Sequence, residues 1–579
     1  MYVDNLVTEF YNVILKQKVL IFVNYDIDAI CAAKILQAIF RYDSIVYTLI
    51  PVSTISDLIV AYNEHKQDVK YVVLINCGGT IDIVEILEPE EHVIFFVADS
   101  HRPTDVCNVY SSSQIRMLCK AGTDEEVPNF EDIFKDDDDD EDEENEIDDS
   151  DDDGNVESQA SKRARLDEQT LMRRREKRLW EENRKRILFE YVQFSYYSRS
   201  SSILMYELSW QIHRDNIDLL WWGIVGVVEQ FILGKVEILQ YLNEIERISA
   251  HVGRLCPHVQ DHGSDIASQS QSSNAGSTAS RTSLRIDCEK DLQLALYRHW
   301  TIESSLRYTM LTAVALKLWA IKGEKRLQQL LAEMELPLAE SRQQYSAMDL
   351  HLRKEFHSMM EKISVARNLE HVTYPSFTLI QGFRTKYQAA DYVYSMLALL
   401  SNTSRSKTTS ECFYEAMDCL SRSKKDLLDE GIEKSKKFLG YMFRHVQNSL
   451  DMRQIISAGP FLYYVIQEGT LNAKYYSNPD CLWVLANFVL KAYVASSRKS
   501  KTARLPLIAS APLEEGYCLI VGVPPVAETA PRSLFGKAFE QVAEKTGCSV
   551  ALDYFDSTVM KIQTVDRPKI FDALTVLLS

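Results

Sequence analysis

Four short apolar runs mark the first hundred residues: 19–23 (Val-Leu-Ile-Phe-Val), 45–52, 71–75 (Tyr-Val-Val-Leu-Ile) and 93–98 (Val-Ile-Phe-Phe-Val-Ala). Continuous runs of this length, rich in Val, Ile and Phe, are the pattern of strands buried on both faces. Helical periodicity fills 29–40 and 55–65 between them. Strand–helix–strand alternation predicts a parallel sheet with right-handed crossovers. The pattern then changes. Residues 161–190 are rich in Arg and Glu and contain neither Gly nor Pro. They predict a long exposed helix supported by pairs at i, i+4. Residues 206–248 predict apolar helix, and their most apolar stretch, 219–228, is about half a membrane span, so it reads as a buried core helix. The segments 292–400 and 411–454 predict mostly helix. The end returns to α/β, with strands at 505–511, 519–523, 549–555 and 558–563 and helices at 534–544 and 568–578.

The fold class that follows is α/β: an N-terminal parallel-sheet lobe, a helical insert and a smaller C-terminal α/β lobe. A chain of 579 residues is too long for one core. The expected divisions are 1–134 for the first lobe, 135–160 for an acidic linker, and 161–255 for the charged helix with helices completing the lobe. Then follow a Ser/Gln-rich loop at 256–290, the insert at 291–455 and the last domain at 456–579. Net charge changes this picture little. The formal −19 includes fifteen acidic residues within 136–153, and without them it is −4. The folded parts are nearly balanced, so any nucleic-acid contact has to come from a local groove. The acidic run itself is too charged to fold and reads as a solvated or partner-docking linker. The eleven cysteines include no Cys-x-x-Cys, which predicts reduced thiols and no zinc site. No secretory leader and no membrane association are expected.

Candidate chemistry lies just beyond the first strands. Asn24-Tyr-Asp26-Ile-Asp28 follows the first, Asn76-Cys-Gly78-Gly the third, and Asp99-Ser100-His101 the fourth. Functional side chains in such sheets collect at the carboxyl ends of strands. Asp26, Asp28, Asn76, Asp99 and His101 are therefore expected to face one crevice. Carboxylates and imidazole so placed are what a two-metal phosphoesterase requires. Taken singly, each has a plainer reading: Asp28 as a helix N-cap, Asp26 as an Asx turn, His101 as a loop histidine.

In these residues the chain resembles the DHH phosphoesterase superfamily, which includes the RecJ nucleases and inorganic pyrophosphatases. Asp26 and Asp28 match its first Asp-x-Asp element. Asn76 stands where the second motif has Asp, Asp99-Ser100-His101 replaces Asp-His-His, and Gly223-Ile-Val-Gly-Val-Val-Glu229 resembles the fourth motif with Glu for Asp. The glycine-histidine-rich substrate motif of the C-terminal domain is missing. The resemblance thus implies a degenerate site with no catalytic residue, no cofactor and no metal. Its alternative is a manganese-dependent single-strand exonuclease with Asp26, Asp28, Asp99, His101 and Glu229 as ligands. A small-phosphoester hydrolase such as a pyrophosphatase ranks below both.

A second resemblance spans essentially the whole chain. Asp-Ser-His-Arg-Pro (99–103), Glu-Val-Pro-Asn-Phe-Glu-Asp-Ile-Phe (126–134), Leu-Trp-Trp-Gly-Ile-Val-Gly (220–226), Gly-Pro-Phe-Leu-Tyr (459–463) and Leu-Phe-Gly-Lys-Ala-Phe-Glu (534–540) are similar, in order and spacing, to the eukaryotic cell division control protein 45 family. That resemblance implies a nuclear replication factor acting on origin chromatin. It implies a subunit that joins the minichromosome maintenance hexamer to the GINS complex, with single-stranded DNA held in the RecJ-like cleft. Candidate phosphate contacts are Arg102, Arg498, Lys499, Lys501 and Arg504. Lys162, Arg163 and Arg165, with Arg173, Arg174 and Arg175, form a candidate import cluster, although a charged helix face is the commoner meaning of such a run.

Overall fold

A computed structural model describes residues 1–67, 69–111, 113–119, 125–134, 156–256, 284–367, 369, 371–382, 385–401, 407–497, 500–527, 532–548 and 550–579. The first sheet carries the four expected strands and a fifth, Ile115–Met117, that the apolar runs do not mark. Strands β1 (Lys18–Asn24), β2 (Val46–Val52), β3 (Tyr71–Ile75), β4 (Ile94–Ala98) and β5 (Ile115–Met117) are all parallel, in the order β2-β1-β3-β4-β5. Alternate residues serve opposite cores. Val19, Ile21 and Val23 of β1 join one, and Leu20 and Phe22 join the other, which accounts for unbroken apolar runs. Helix α1 (Ile27–Tyr42) packs into the first core, and α2 (Ile55–His65) places Leu58 and Tyr62 in the second. The strand order reverses between β1 and β3, so the crevice of a doubly wound sheet opens beyond their carboxyl ends.

Two further helices complete this lobe. Helix α3 (Ser201–Gln211) and α4 (Ile217–Ile232) pack against α1 on the first core. Helix α4 is buried along most of its length, as the apolar stretch required. At Gly226 it approaches α3 closely: a Cβ there would lie 2.1 Å from Ser202 Oγ and 2.6 Å from Asp28 Oδ1. Glycine is the residue that allows this approach.

The middle of the chain departs from expectation. Leu284–Leu292, Thr373–Gln381 and Thr385–Gln388 form an antiparallel three-stranded sheet where loop and helix are expected. Leu284–Leu292 lies at the sheet edge and carries Arg, Asp, Glu and Lys, so its sequence imitates a loop; charged edges are how sheets avoid further pairing. Pro375 similarly disguises Thr373–Gln381, whose Tyr374, Phe377 and Leu379 are buried. Helices form most of the rest, including Leu350–Ala366 and the 27-residue Lys425–Asp451.

The last domain is a six-stranded sheet in the order Ile456–Ser457, Leu462–Val465, Leu507–Pro512, Tyr517–Val523, Val559–Gln563, Val550–Ala551. The strand expected over 549–555 shrinks to Val550–Ala551, because the residues after it leave the sheet for the first lobe. Helices Phe535–Thr546 and Arg567–Leu578 pack together on one face.

Residues 121–194 form a separate compact unit, so the first lobe ends near Lys120, earlier than the expected 134. Within that unit the long helix runs over Val156–Val192, five residues earlier at its start than the expected 161. Tyr191 donates to Glu125 at 2.9 Å. The acidic run lies outside the described residues. Among the described residues no helix is long and apolar enough to cross a membrane.

Candidate functional site

The strand-end residues do converge, and internal donors take up their oxygens. Asp26 ends the β1 loop and caps α1, accepting from Ala29 N at 2.6 Å. Asp28, in the first turn of that helix, caps a different one: it accepts from Ser201 N at 2.8 Å, from Ser202 N at 3.0 Å and from the Ser200 hydroxyl. The positive end of the α3 dipole thus rests on Asp28. The plainer sequence readings placed these roles the other way, with Asp28 capping its own helix.

Asn76 sits between the two carboxylates. Its Nδ2 donates to Asp26 Oδ1 and Oδ2 at 3.2 and 3.3 Å and to Asp28 Oδ2 at 3.3 Å. Its Oδ1 accepts from Ser100 N at 3.1 Å and Ser201 Oγ at 2.6 Å, which fixes which way the amide points. The backbone there is left-handed (φ 53°), a conformation that Asn tolerates better than most residues. An amide donor therefore bridges the two carboxylates from the position where the DHH pattern has an acid.

Asp99 is saturated in the same way. Gly78 N and Gly79 N donate to Oδ2 at 3.1 and 2.7 Å, and His101 N and Nδ1 lie 2.9 and 2.7 Å from Oδ1. Burial alone would lower the His101 pKa, but the Asp99 carboxylate beside it prevails and raises it to about 9. The imidazole is a resident cation, not the loop histidine of the plainer reading. Glu229 is fully buried on α4 and pairs with Lys235 at 2.8 Å; Asp480 reaches the same ammonium at 3.1 Å. Burial pushes Glu229 upward against the opposing pull of Lys235. Burial would lower Lys235, yet Asp480 and Glu229 hold it well above its ordinary value. Asp26 is raised to about 6 by burial, with Lys235 opposing.

A two-metal centre needs several oxygen ligands free to face the ions. Here Asn76 Nδ2 points at Asp26 and Asp28, and the Lys235 ammonium lies against Glu229 and Asp480. The residues present do not fit a two-metal centre. Nitrogen donors and two protein cations neutralise the acidic cluster in its place.

The C-terminal domain closes the crevice. Ile55 N donates to Asp553 O at 2.7 Å, Ser56 N and Oγ each lie 2.8 Å from Asp553 Oδ1, Thr80 donates to Phe555 O at 3.0 Å, and Tyr197 donates to Asp556 at 2.7 Å. What remains is a cavity of about 80 Å³ lined by Tyr25, Asp26, His101, Lys235, Tyr554 and Phe555 among others. Organic ligands generally occupy about 300–1,000 Å³, so no nucleotide fits without movement of the lobes.

Several expectations change on this geometry. Arg102 is buried and donates to Asp99 O at 2.9 Å and His101 O at 2.7 Å, so it braces the loop and offers nothing to DNA. Arg498 and Lys499 lie outside the described residues. Lys501 and Arg504 are exposed on a short 3-10 helix, Ser500–Arg504. Of the candidate import cluster, Arg175 is exposed on the long helix, whereas the side chains of Lys162, Arg163, Arg165, Arg173 and Arg174 lie outside the described structure. Sequence reasoning missed Lys235, Asp480 and the serines at 200–202. Three consecutive serines before an apolar helix are a capping signal, and Gly234-Lys235 closes the very helix that carries Glu229.

The sequence matches the family model of CDC45 over residues 19–577. It is 39% identical over the full length of both chains to the human cell division control protein 45 homolog. It is 28% identical to the Schizosaccharomyces pombe homolog, covering 96% of this chain and 95% of that one. Its fold is similar to the crystal structure of CDC45 from Entamoeba histolytica, with a TM-score of 0.70 and 21% identity over the whole of both chains.

Proposed function

The chain belongs to the cell division control protein 45 (CDC45) family, and from that premise we propose that it is a non-catalytic subunit of the eukaryotic replicative helicase. In this reading it bridges the minichromosome maintenance hexamer and the GINS complex, works in the nucleus on origin chromatin, and lends a fold to an assembly where its superfamily lends a reaction. The observation that carries the non-catalytic part is the filled crevice: Asp26, Asp28 and Asp99 are each saturated by protein donors, and Lys235 holds Glu229. An active phosphoesterase keeps such oxygens for its ions.

The test is cleavage of end-labelled single-stranded DNA by the purified chain in manganese, beside the Asp26→Ala, Asp99→Ala double variant. The expected result is no degradation, or equal traces in both proteins. Degradation that vanishes in the double variant would overturn the reading and make this chain a working nuclease.

Single-strand binding is a second, compatible part of the reading. Tyr25, Tyr554, Phe555 and Trp483 line the closed crevice, and rings in such a place suit stacking on bases once the lobes part. Binding of an oligothymidylate is then expected to weaken steeply with salt and to be unchanged by a chelator. Affinity that depends on added divalent metal would count against it.

A further inference from the structure

A second cavity, larger than the one left at the crevice, lies elsewhere. It measures about 700 Å³ and lies in the insert, between the 3-10 turns Tyr297–His299 and Tyr345–Ala347, helix Leu350–Ala366, strand Thr385–Gln388 and the start of helix Lys425–Asp451. Its size is that of a site for an organic ligand.

Its charge is uneven. Arg298, Arg353, Lys386, Lys425 and Lys436 line it, against Asp429 and Glu433. Glu433 is taken by Lys436 at 2.5 Å, and Asp429 accepts from the Tyr387 hydroxyl at 3.1 Å. No carboxylate among the described residues pairs with Arg353, Lys386 or Lys425, and the last two are exposed. Arg298 is anchored from behind, its Nη2 lying 2.6 Å from Asp291 outside the cavity lining, while its buried Nη1 has no hydrogen-bond partner. His299 also lines the cavity: burial opposes its proton, but Asp391 at 3.1 Å outweighs this and raises its pKa. A guanidinium held by Asp291, beside Arg353 and the two exposed lysines Lys386 and Lys425, is an arrangement that suits a multiply charged oxyanion.

We propose that this cavity docks a phosphoserine- or phosphothreonine-bearing peptide of a partner protein. A phosphomonoester brings about −2 charge and three acceptor oxygens, whereas a carboxylate brings one charge. A peptide suits the walls better than a nucleic acid does. Asp429 and Glu433 would repel a continuous phosphate backbone. The two tyrosines offer no open platform for a base, because Tyr387 is stacked on His299 at 5.3 Å and approached by Lys425, and Tyr345 packs edge-on against Tyr297 at 5.2 Å. The inference stands apart from the reading of the degenerate crevice.

The experiment is calorimetric titration of the full chain with a short phosphoserine peptide, the same peptide with Ser or Glu in place of phosphoserine, and an oligothymidylate as competitor. Saturable binding of the phosphopeptide tighter than about 1 mM is expected. Lys386→Ala and Lys425→Ala together are expected to weaken it at least about tenfold, while Lys569→Ala, at an exposed position in the last domain, leaves it unchanged. Because the two lysines are exposed, their loss spares the fold, and an unchanged melting temperature checks this. The proposal is overturned if no phosphopeptide binds, if the lysine variants bind as the parent does, if the Glu peptide binds equally well, or if oligothymidylate displaces the peptide.

Discussion

Replacing Lys235 with methionine is expected to destabilise the chain by about 3–5 kcal/mol, the range for stripping one partner from a buried ion pair. The Lys235 side chain is 6% exposed, and its ammonium lies 2.8 Å from Glu229, 3.1 Å from Asp480 and 5.1 Å from the centre of the Tyr197 ring. Methionine fills much of the same volume, so the change removes charge rather than packing. Without the ammonium, Glu229 is a fully buried carboxylate whose second oxygen already has no hydrogen-bond donor, and Asp26 loses the cation that opposes its desolvation. The measurement is the urea midpoint of the whole chain, followed alongside Glu229→Gln and the double variant. The double variant is expected to regain most of the loss, because what costs stability is the unpaired charge and not the missing bridge. A Lys235→Met protein within about 0.5 kcal/mol of the parent, the usual range for an inert surface change, would show that Lys235 does not act as the internal cation.

The reason Lys235 escaped sequence reasoning is instructive. Asp26, Asp28, Asn76, Asp99 and His101 were legible because each follows a strand, and a parallel sheet gathers its strand ends by topology alone. Glu229 was legible because its glycine-bearing helix follows a recognisable pattern. The partners that decide what the cluster does come from elsewhere. Ser200–Ser202 reach Asp28 from some 172 residues away, and Asp480 and Asp556 arrive from the far end of the chain. No local period encodes such contacts. Capping roles were likewise half legible: the sequence marks an acid near the start of α1, but whether Asp26 or Asp28 caps it depends on where α3 points. The insert sheet was missed because its edge strand is charged and its central strand carries a proline, so neither alternates cleanly.

Asn76→Asp tests the site from the opposite direction, by setting a carboxyl where the amide now bridges Asp26 and Asp28. If the crevice is neutralised by protein donors, the new carboxyl is harmful in the absence of metal. It removes the Nδ2 contacts to Asp26 and Asp28 and sets a third acid within hydrogen-bonding distance of both. The backbone accepts the change, because aspartate tolerates the left-handed conformation about as asparagine does. The loss is therefore electrostatic, and about 3 kcal/mol is expected for buried charge left without donors. Manganese is then expected to stabilise the variant and leave the parent unmoved. A ligand at a hundred times its dissociation constant returns about 2.7 kcal/mol. Thermal melts of both proteins, with manganese and with chelator, read this directly. A variant as stable as the parent in chelator would mean that the Asn76 amide does not hold the acidic cluster together. A parent stabilised by manganese would mean that its carboxylates are still available to an ion. The expected pair of results, harm without metal and rescue with it, would show that the Asn76 amide is what keeps the carboxylates of this crevice within the folded core.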